Sequence, residues 1–71
     1  MYFESFPSKL KQARIDTGYT QKQVADLKNI NRSALAKYEL GQLEPSIETL
    51  GKLADFYCVS CDWLIGTKGG K

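Results

Sequence analysis

The chain has 71 residues, room for one small domain that buries only about 60% of its unfolded surface and too little for a large enzyme. Its 42% hydrophobic and 25% charged residues match a folded soluble domain, and the complete absence of histidine removes the usual proton carrier near neutral pH, most zinc sites and every Ser-His or Cys-His pairing. Net charge is only +2, yet residues 1–38 hold seven Lys or Arg against three acids while residues 39–71 hold three against five, which points weakly to a basic face for a polyanion.

The helical spacing of Phe6, Leu10 and Ala13 predicts a first helix over 6–17, with Ser5 as N-cap, Pro7 in the first turn and Gly18 as the stop. Thr20 and Gln23 form a capping-box pattern that opens a second helix, which turns Val24 and Ala25 inward and ends by Asn29. Asn31 caps a third helix over 32–40, stopped by Gly41, after a connection of the length used in a helix-turn-helix. Beyond Pro45, Ser46 caps a fourth helix over 47–57, with Ile47, Leu50, Leu53, Ala54 and Tyr57 at helical spacing. Ser60 caps a short fifth piece, CDWLI, ended by Gly66, and residues 67–71 read as a flexible tail. No strand pattern, internal repeat or linker interrupts this series. One all-α, five-helix domain over 1–71, with its core over 6–66, is the expectation.

The third helix divides into two faces. Ala34, Leu35 and Tyr38 point to a core, whereas Arg32, Ser33, Ala36 and Lys37 share the opposite side. A short cationic face without bulky aromatics fits a DNA major groove about 12 Å wide, where Arg or Lys can donate to guanine O6 and N7 and Ala36 can meet a thymine methyl. A solvated face on any amphipathic helix would look the same when taken alone.

Taken together, the runs LKQARIDTGYTQKQVA, NRSALAKYELG, EPSIETLGKLADFY and VSCDWLIG resemble the Cro and lambda-repressor type helix-turn-helix family, over about Phe6 to Gly66. The resemblance rests on Leu10 and Arg14 before Gly18, Thr20-Gln21, Val24-Ala25, Ser33, Tyr38-Glu39, Gly41, Pro45, Leu50, Leu53-Ala54, Val59-Ser60 and Asp62. It implies a five-helix bundle that binds operator DNA as a homodimer on a palindromic site, usually to repress transcription, without a cofactor. By the same resemblance Arg32, Ser33 and Lys37 read bases, Gln21 lies at a phosphate, Gly41 with Gln42 form a loop whose backbone approaches a phosphate, and Arg14 and Glu39 form a buried ion pair that sets the angle of the reading helix; Ala36 joins the expected base-reading set, and Thr20 and Asn31 the expected phosphate-contacting set. Free N–H groups at the start of the second helix are an independent reason for a phosphate near Gln21.

Three departures from the family pattern stand out. Lys28 replaces an apolar residue under the turn, so either the helix rotates toward Leu27 or the lysine stem lies along the core with its ammonium in water. Asn29 replaces a glycine, and Cys58 stands where Gly or Asn is common, which implies mild backbone strain.

The remaining features compete less strongly. Cys58 and Cys61 have C-x-x-C spacing, but with no histidine and no other cysteine a metal site lacks two ligands, so both are read as plain reduced thiols. Phe56, Trp63 and Ile65, with Tyr2 and Phe3, exceed what so small a core needs and are expected either to fold back over it or to form a dimer surface. No apolar run approaches the ~20 residues of a membrane span, and MYFESF lacks a secretory pattern, so a cytoplasmic location is expected. The rival to a DNA-binding regulator is a protein-interaction module, for instance an antitoxin-like partner, built on the same fold.

Overall fold

The computed structural model describes residues 5–65, and most of its helix ends fall where a side chain or a left-handed residue takes over free backbone groups. Helix α1 is Phe6–Thr17, α2 Gln21–Lys28, α3 Arg32–Leu40, α4 Ile47–Tyr57 and α5 Cys61–Ile65. Gly18 at φ 85° and Gly41 at φ 77° close α1 and α3 in the left-handed region, which costs glycine nothing sterically. At Gly41 there is a second reason, because a Cβ would meet Pro7 Cγ of α1 at 3.2 Å.

Asn29 at φ 55° and Cys58 at φ 58° end α2 and α4 in the same conformation with side chains attached. Asparagine tolerates this well, whereas cysteine carries the strain that its position implied. The capping box of α2 is complete: Gln23 N–H donates to Thr20 Oγ1 at 3.1 Å and Thr20 N–H donates to Gln23 Oε1 at 2.9 Å. Asn31 Oδ1, Ser46 Oγ and Ser60 Oγ accept from the N–H groups of Ala34, Thr49 and Trp63 at 3.0, 3.1 and 3.0 Å.

Ser5 differs from expectation. Its backbone is already helical at φ −81° and ψ −8°, so its hydroxyl makes no capping bond. Instead Ser8 Oγ donates to Ser5 O at 3.1 Å, and Pro7 begins the helix without an N–H to satisfy. The expected stop at Gly66, the aromatic pair Tyr2 and Phe3 and the tail 67–71 lie outside the described residues.

Five side chains are almost wholly removed from solvent, and each belongs to a different helix: Leu10, Val24, Leu35, Leu53 and Leu64. The described helices therefore share one core, in which α1 packs on α3, α4 and α5 while α2 packs on α3 and α5 on α4. Ile47 was expected inside with Leu50 but is 85% exposed. It is the first residue of α4, and a helical side chain leans toward the N-terminus, so its side chain projects past the end of the core. No helix among the described residues is long and apolar enough to cross a membrane.

Lone helices as short as α5, with five residues, are unstable in water, so α5 persists only through packing. Leu64→Ala is expected to destabilise the protein by about 2–4 kcal/mol, in the range of other buried leucine truncations. Urea denaturation followed by circular dichroism measures it. A loss under 1 kcal/mol would show that α5 does not complete the core.

Candidate nucleic-acid interface

The interface begins with a carboxylate inside the molecule. The Glu39 side chain, from the last turn of α3, is 2% exposed and is met by donors from two other helices. Arg14 Nε of α1 donates to Glu39 Oε2 at 2.8 Å, and its Nη2 donates to Oε1 at 3.1 Å, a forked pair that fits the carboxylate plane. Gln21 Nε2 of α2 donates to the same Oε1 at 3.0 Å. Arg14 Nη1 spans onward to Tyr19 O at 2.9 Å, fixing the strand of chain that leads into α2. The hydrogen bond to Glu39 and its negative charge raise the Arg14 pKa and hold the guanidinium charged, against the opposing effect of burial.

From α4, Tyr57 brings a buried hydroxyl toward the same charges, but its oxygen has no hydrogen-bond partner. Burial, and secondarily the charge of Glu39, push this phenol well above its ordinary pKa. Residues from three helices, α1, α2 and α3, thus meet at one carboxylate.

Fixed in this way, α3 turns Leu35, Tyr38 and Glu39 inward and leaves Arg32, Ser33 and Lys37 exposed. Ala36, between Arg32 and Ser33 around the helix, is half-buried. Arg32 and Lys37 have no ion-pair or hydrogen-bond partner among the described residues, unlike Lys22, which pairs with Asp26 at 3.0 Å, and Arg14. No acid occupies the first turn of α2 or α3, so the positive ends of both helices are uncompensated, whereas Glu48 stands in the first turn of α4.

The residues expected at phosphates divide into two groups. Thr20 and Asn31 are exposed at the starts of α2 and α3, with the Asn31 amide N–H groups unused, and Gln42 is exposed after α3. By contrast, the backbone N–H groups of Gly41 and Gln42 already donate to Tyr38 O at 3.3 Å and Lys37 O at 2.9 Å within the cap of α3. Both N–H groups are thus engaged in closing the helix, while the Gln42 side chain is exposed. Gln21 is half-buried and its amide is engaged with Glu39.

The aromatic cluster is neither fully buried nor open. Phe56 lies 5.1 Å from the Tyr19 ring and 5.5 Å from Tyr57, while Trp63 and Ile65 pack half-buried against the core. Lys28 settles the question of its turn: the side chain is half-buried and Nζ sits 5.8 Å from the Phe56 ring centroid, leaving Leu27 60% exposed. Lys9 lies 5.4 Å over Trp63 in the same manner, joining α1 to α5. Cys58 and Cys61 are exposed free thiols, and no cluster of three or more metal-binding side chains exists among the described residues.

Sequence reasoning missed exposed apolar residues at and after the end of α3, where Leu40 is 69% and Leu43 44% exposed, followed by Ile47 at the start of α4. The signal was present in the spacing, since Leu40 lies one turn beyond Ala36 and Lys37 and therefore shares the side of α3 that carries the cations, at its C-terminal end.

The profile of the helix-turn-helix family matches residues 10–64. The chain is 44% identical over 62 residues to the HTH-type transcriptional regulator ImmR of Bacillus subtilis, covering 87% of this chain and 49% of ImmR. It is 42% identical over 60 residues to the SPbeta prophage-derived HTH-type transcriptional regulator YonR of the same species, covering 84% of this chain and 56% of YonR. It thus spans about half the length of these relatives. The solved structure of the N-terminal DNA binding domain of SinR from Bacillus subtilis is similar with a TM-score of 0.78 and 28% identity, over 84% of this chain and 88% of that one.

Because Glu39 is enclosed, Glu39→Ala leaves the donors of Arg14 and Gln21 facing a void, and is expected to cost about 3–4 kcal/mol. Replacing Arg14 and Glu39 together by apolar residues is expected to cost less than that, a comparison made by thermal unfolding of the two singles and the double. Additive losses would show that the pair is uncoupled. Tyr57→Phe removes only an oxygen that has no partner, so stability is expected to stay level or rise by up to about 1 kcal/mol in the same assay.

Proposed function

Because the chain belongs to the helix-turn-helix family of the Cro and lambda-repressor type, we propose that it is a sequence-specific DNA-binding transcriptional regulator that reads the major groove with α3 and has no catalytic role. The observation that carries this reading is the exposed, unpaired cationic face of α3, Arg32 and Lys37 with Ser33 between them, on a helix whose angle is fixed from behind by Glu39. Unpaired cations retain their full attraction for phosphates and base edges, and shedding counterions from DNA makes binding weaken steeply with salt. Arg32, Ser33, Ala36 and Lys37 read bases, while Thr20, Asn31 and Gln42 seat the domain on the backbone, Gly41 shaping the turn that presents Gln42.

Two copies on a palindromic site double the contacts of one short reading helix, and repression by occupying the operator needs no further surface. Such a regulator works in the cytoplasm, where the bacterial relatives' DNA lies. A protein partner in place of DNA is the second reading, favoured by the exposed Leu40, Leu43 and Ile47. Phe56, Trp63 and Ile65, being half-buried, offer less area for a partner than those exposed residues do.

Selection of bound fragments from random duplex DNA, followed by gel shift on the recovered site, tests the proposal. Arg32→Ala is expected to cost about 1–3 kcal/mol on that site and to relax preference at one base pair. Equal losses on every sequence would rule out base reading by Arg32, and failure to retain any fragment would leave the protein-partner reading.

A further inference from the structure

We infer that Gln21 is a positioning residue for base reading, acting through its hydrogen bond to Glu39 rather than only as a contact to the DNA backbone; the inference rests on the proposed DNA-binding function. Three observations converge on it. Gln21 is the first residue of α2, which has no acid in its first turn, yet its side chain is half-buried and bonded to the enclosed Glu39. Its Nε2 donates to the oxygen of Glu39 that also receives Arg14 Nη2. The segment joining α2 to α3 is only residues 29–31, and its one left-handed residue, Asn29, is not a glycine. Arg14 therefore ties α3 to α1, and Gln21 is the polar tie between α3 and α2.

The consequence follows from the length of the lever. Seven residues separate Glu39 from Arg32, about 10 Å along the axis at 1.5 Å per residue, so a tilt of about 10° about Glu39 moves Arg32 by about 2 Å. Hydrogen bonds to a base edge tolerate only about 0.5 Å in length, whereas a lysine on a flexible stem follows a phosphate through a larger displacement. Loosening the Gln21 bond should consequently erode discrimination between sequences more than attraction to DNA in general. A side chain that served only as a phosphate contact would do the opposite, weakening all sequences alike.

The test compares the wild type with Gln21→Leu, which removes the donor, and Gln21→Lys, which keeps one. Affinities for the selected site and for a scrambled duplex are measured by fluorescence anisotropy at one salt concentration, with circular dichroism confirming the fold. The ratio of the two affinities is expected to fall about tenfold in Gln21→Leu, the size of one lost base contact, and to be largely retained in Gln21→Lys. A second arm needs no DNA: the melting-temperature changes of Gln21→Leu and Glu39→Gln are expected to be non-additive in the double variant. An unchanged ratio, with both affinities reduced alike, overturns the inference while leaving the DNA-binding reading intact. Additive melting shifts overturn it too, and also serve if Gln21→Leu is too unstable for binding work. A wild type that binds neither duplex would instead overturn the functional reading on which the inference stands.

Discussion

A single enclosed carboxylate governs how this domain presents its surface. A carboxyl group enclosed to 2% exposure needs hydrogen-bond donors, because a polar group buried without partners is strongly disfavoured. The structure supplies three contacts from Arg14 and Gln21, and these come from two different helices. The requirement to satisfy the carboxylate is thereby also a requirement that α1, α2 and α3 keep one relative arrangement. Hydrophobic packing supplies most of the cohesion, through one deeply buried aliphatic residue in each helix. Greasy contacts are weakly directional, however, and a helix can roll or tilt on them at small cost. The directional part is the polar knot.

The outward consequence is an economy of charge. Inside, Arg14 is fully engaged; outside, Lys9 and Lys28 rest over aromatic rings and Lys22 pairs with Asp26. Arg32 and Lys37 have nothing comparable among the described residues, and they sit on the helix that the knot orients. A domain whose net charge is only +2 can still present a localised cationic ridge, because what a polyanion senses at short range is the unneutralised charge within about 10 Å, not the total. Leu40, Leu43 and Ile47 add exposed apolar area at and after the end of α3, a combination suited to a surface where both nucleic acid and protein are met.

Strain is confined to places where it does no harm to this arrangement. Cys58 adopts a left-handed conformation at the junction of α4 and α5, and Tyr57 immediately before it keeps a buried hydroxyl unpaired. Both lie at the C-terminal end of α4. The turn between α2 and α3 is by contrast well provided for, with Asn29 in a conformation it accepts, Ile30 packed against the core and Asn31 capping α3.

The linear order of residues was enough to place α2, α3 and α4 between their ends, since caps such as Thr20-Gln23, Asn31 and Ser46 and stops such as Gly41 act on neighbours within four residues; the expected Ser5 cap of α1 was not made, and the stop expected at Gly66 lies outside the described residues. Local periodicity likewise separated Leu35 and Tyr38 from Arg32 and Lys37, because the two sides of a helix are fixed by its pitch. What tertiary structure decided were the matters that depend on distant partners or on the edge of the core: that Gln21 turns inward to Glu39 eighteen positions away, that the N–H groups of Gly41 and Gln42 are consumed by the end of α3, that Ile47 overhangs the core, and that the Lys28 stem lies beneath Phe56. Spacing along one helix reveals which residues share a side; it carries no record of where a neighbouring helix stops, and burial is set by that neighbour.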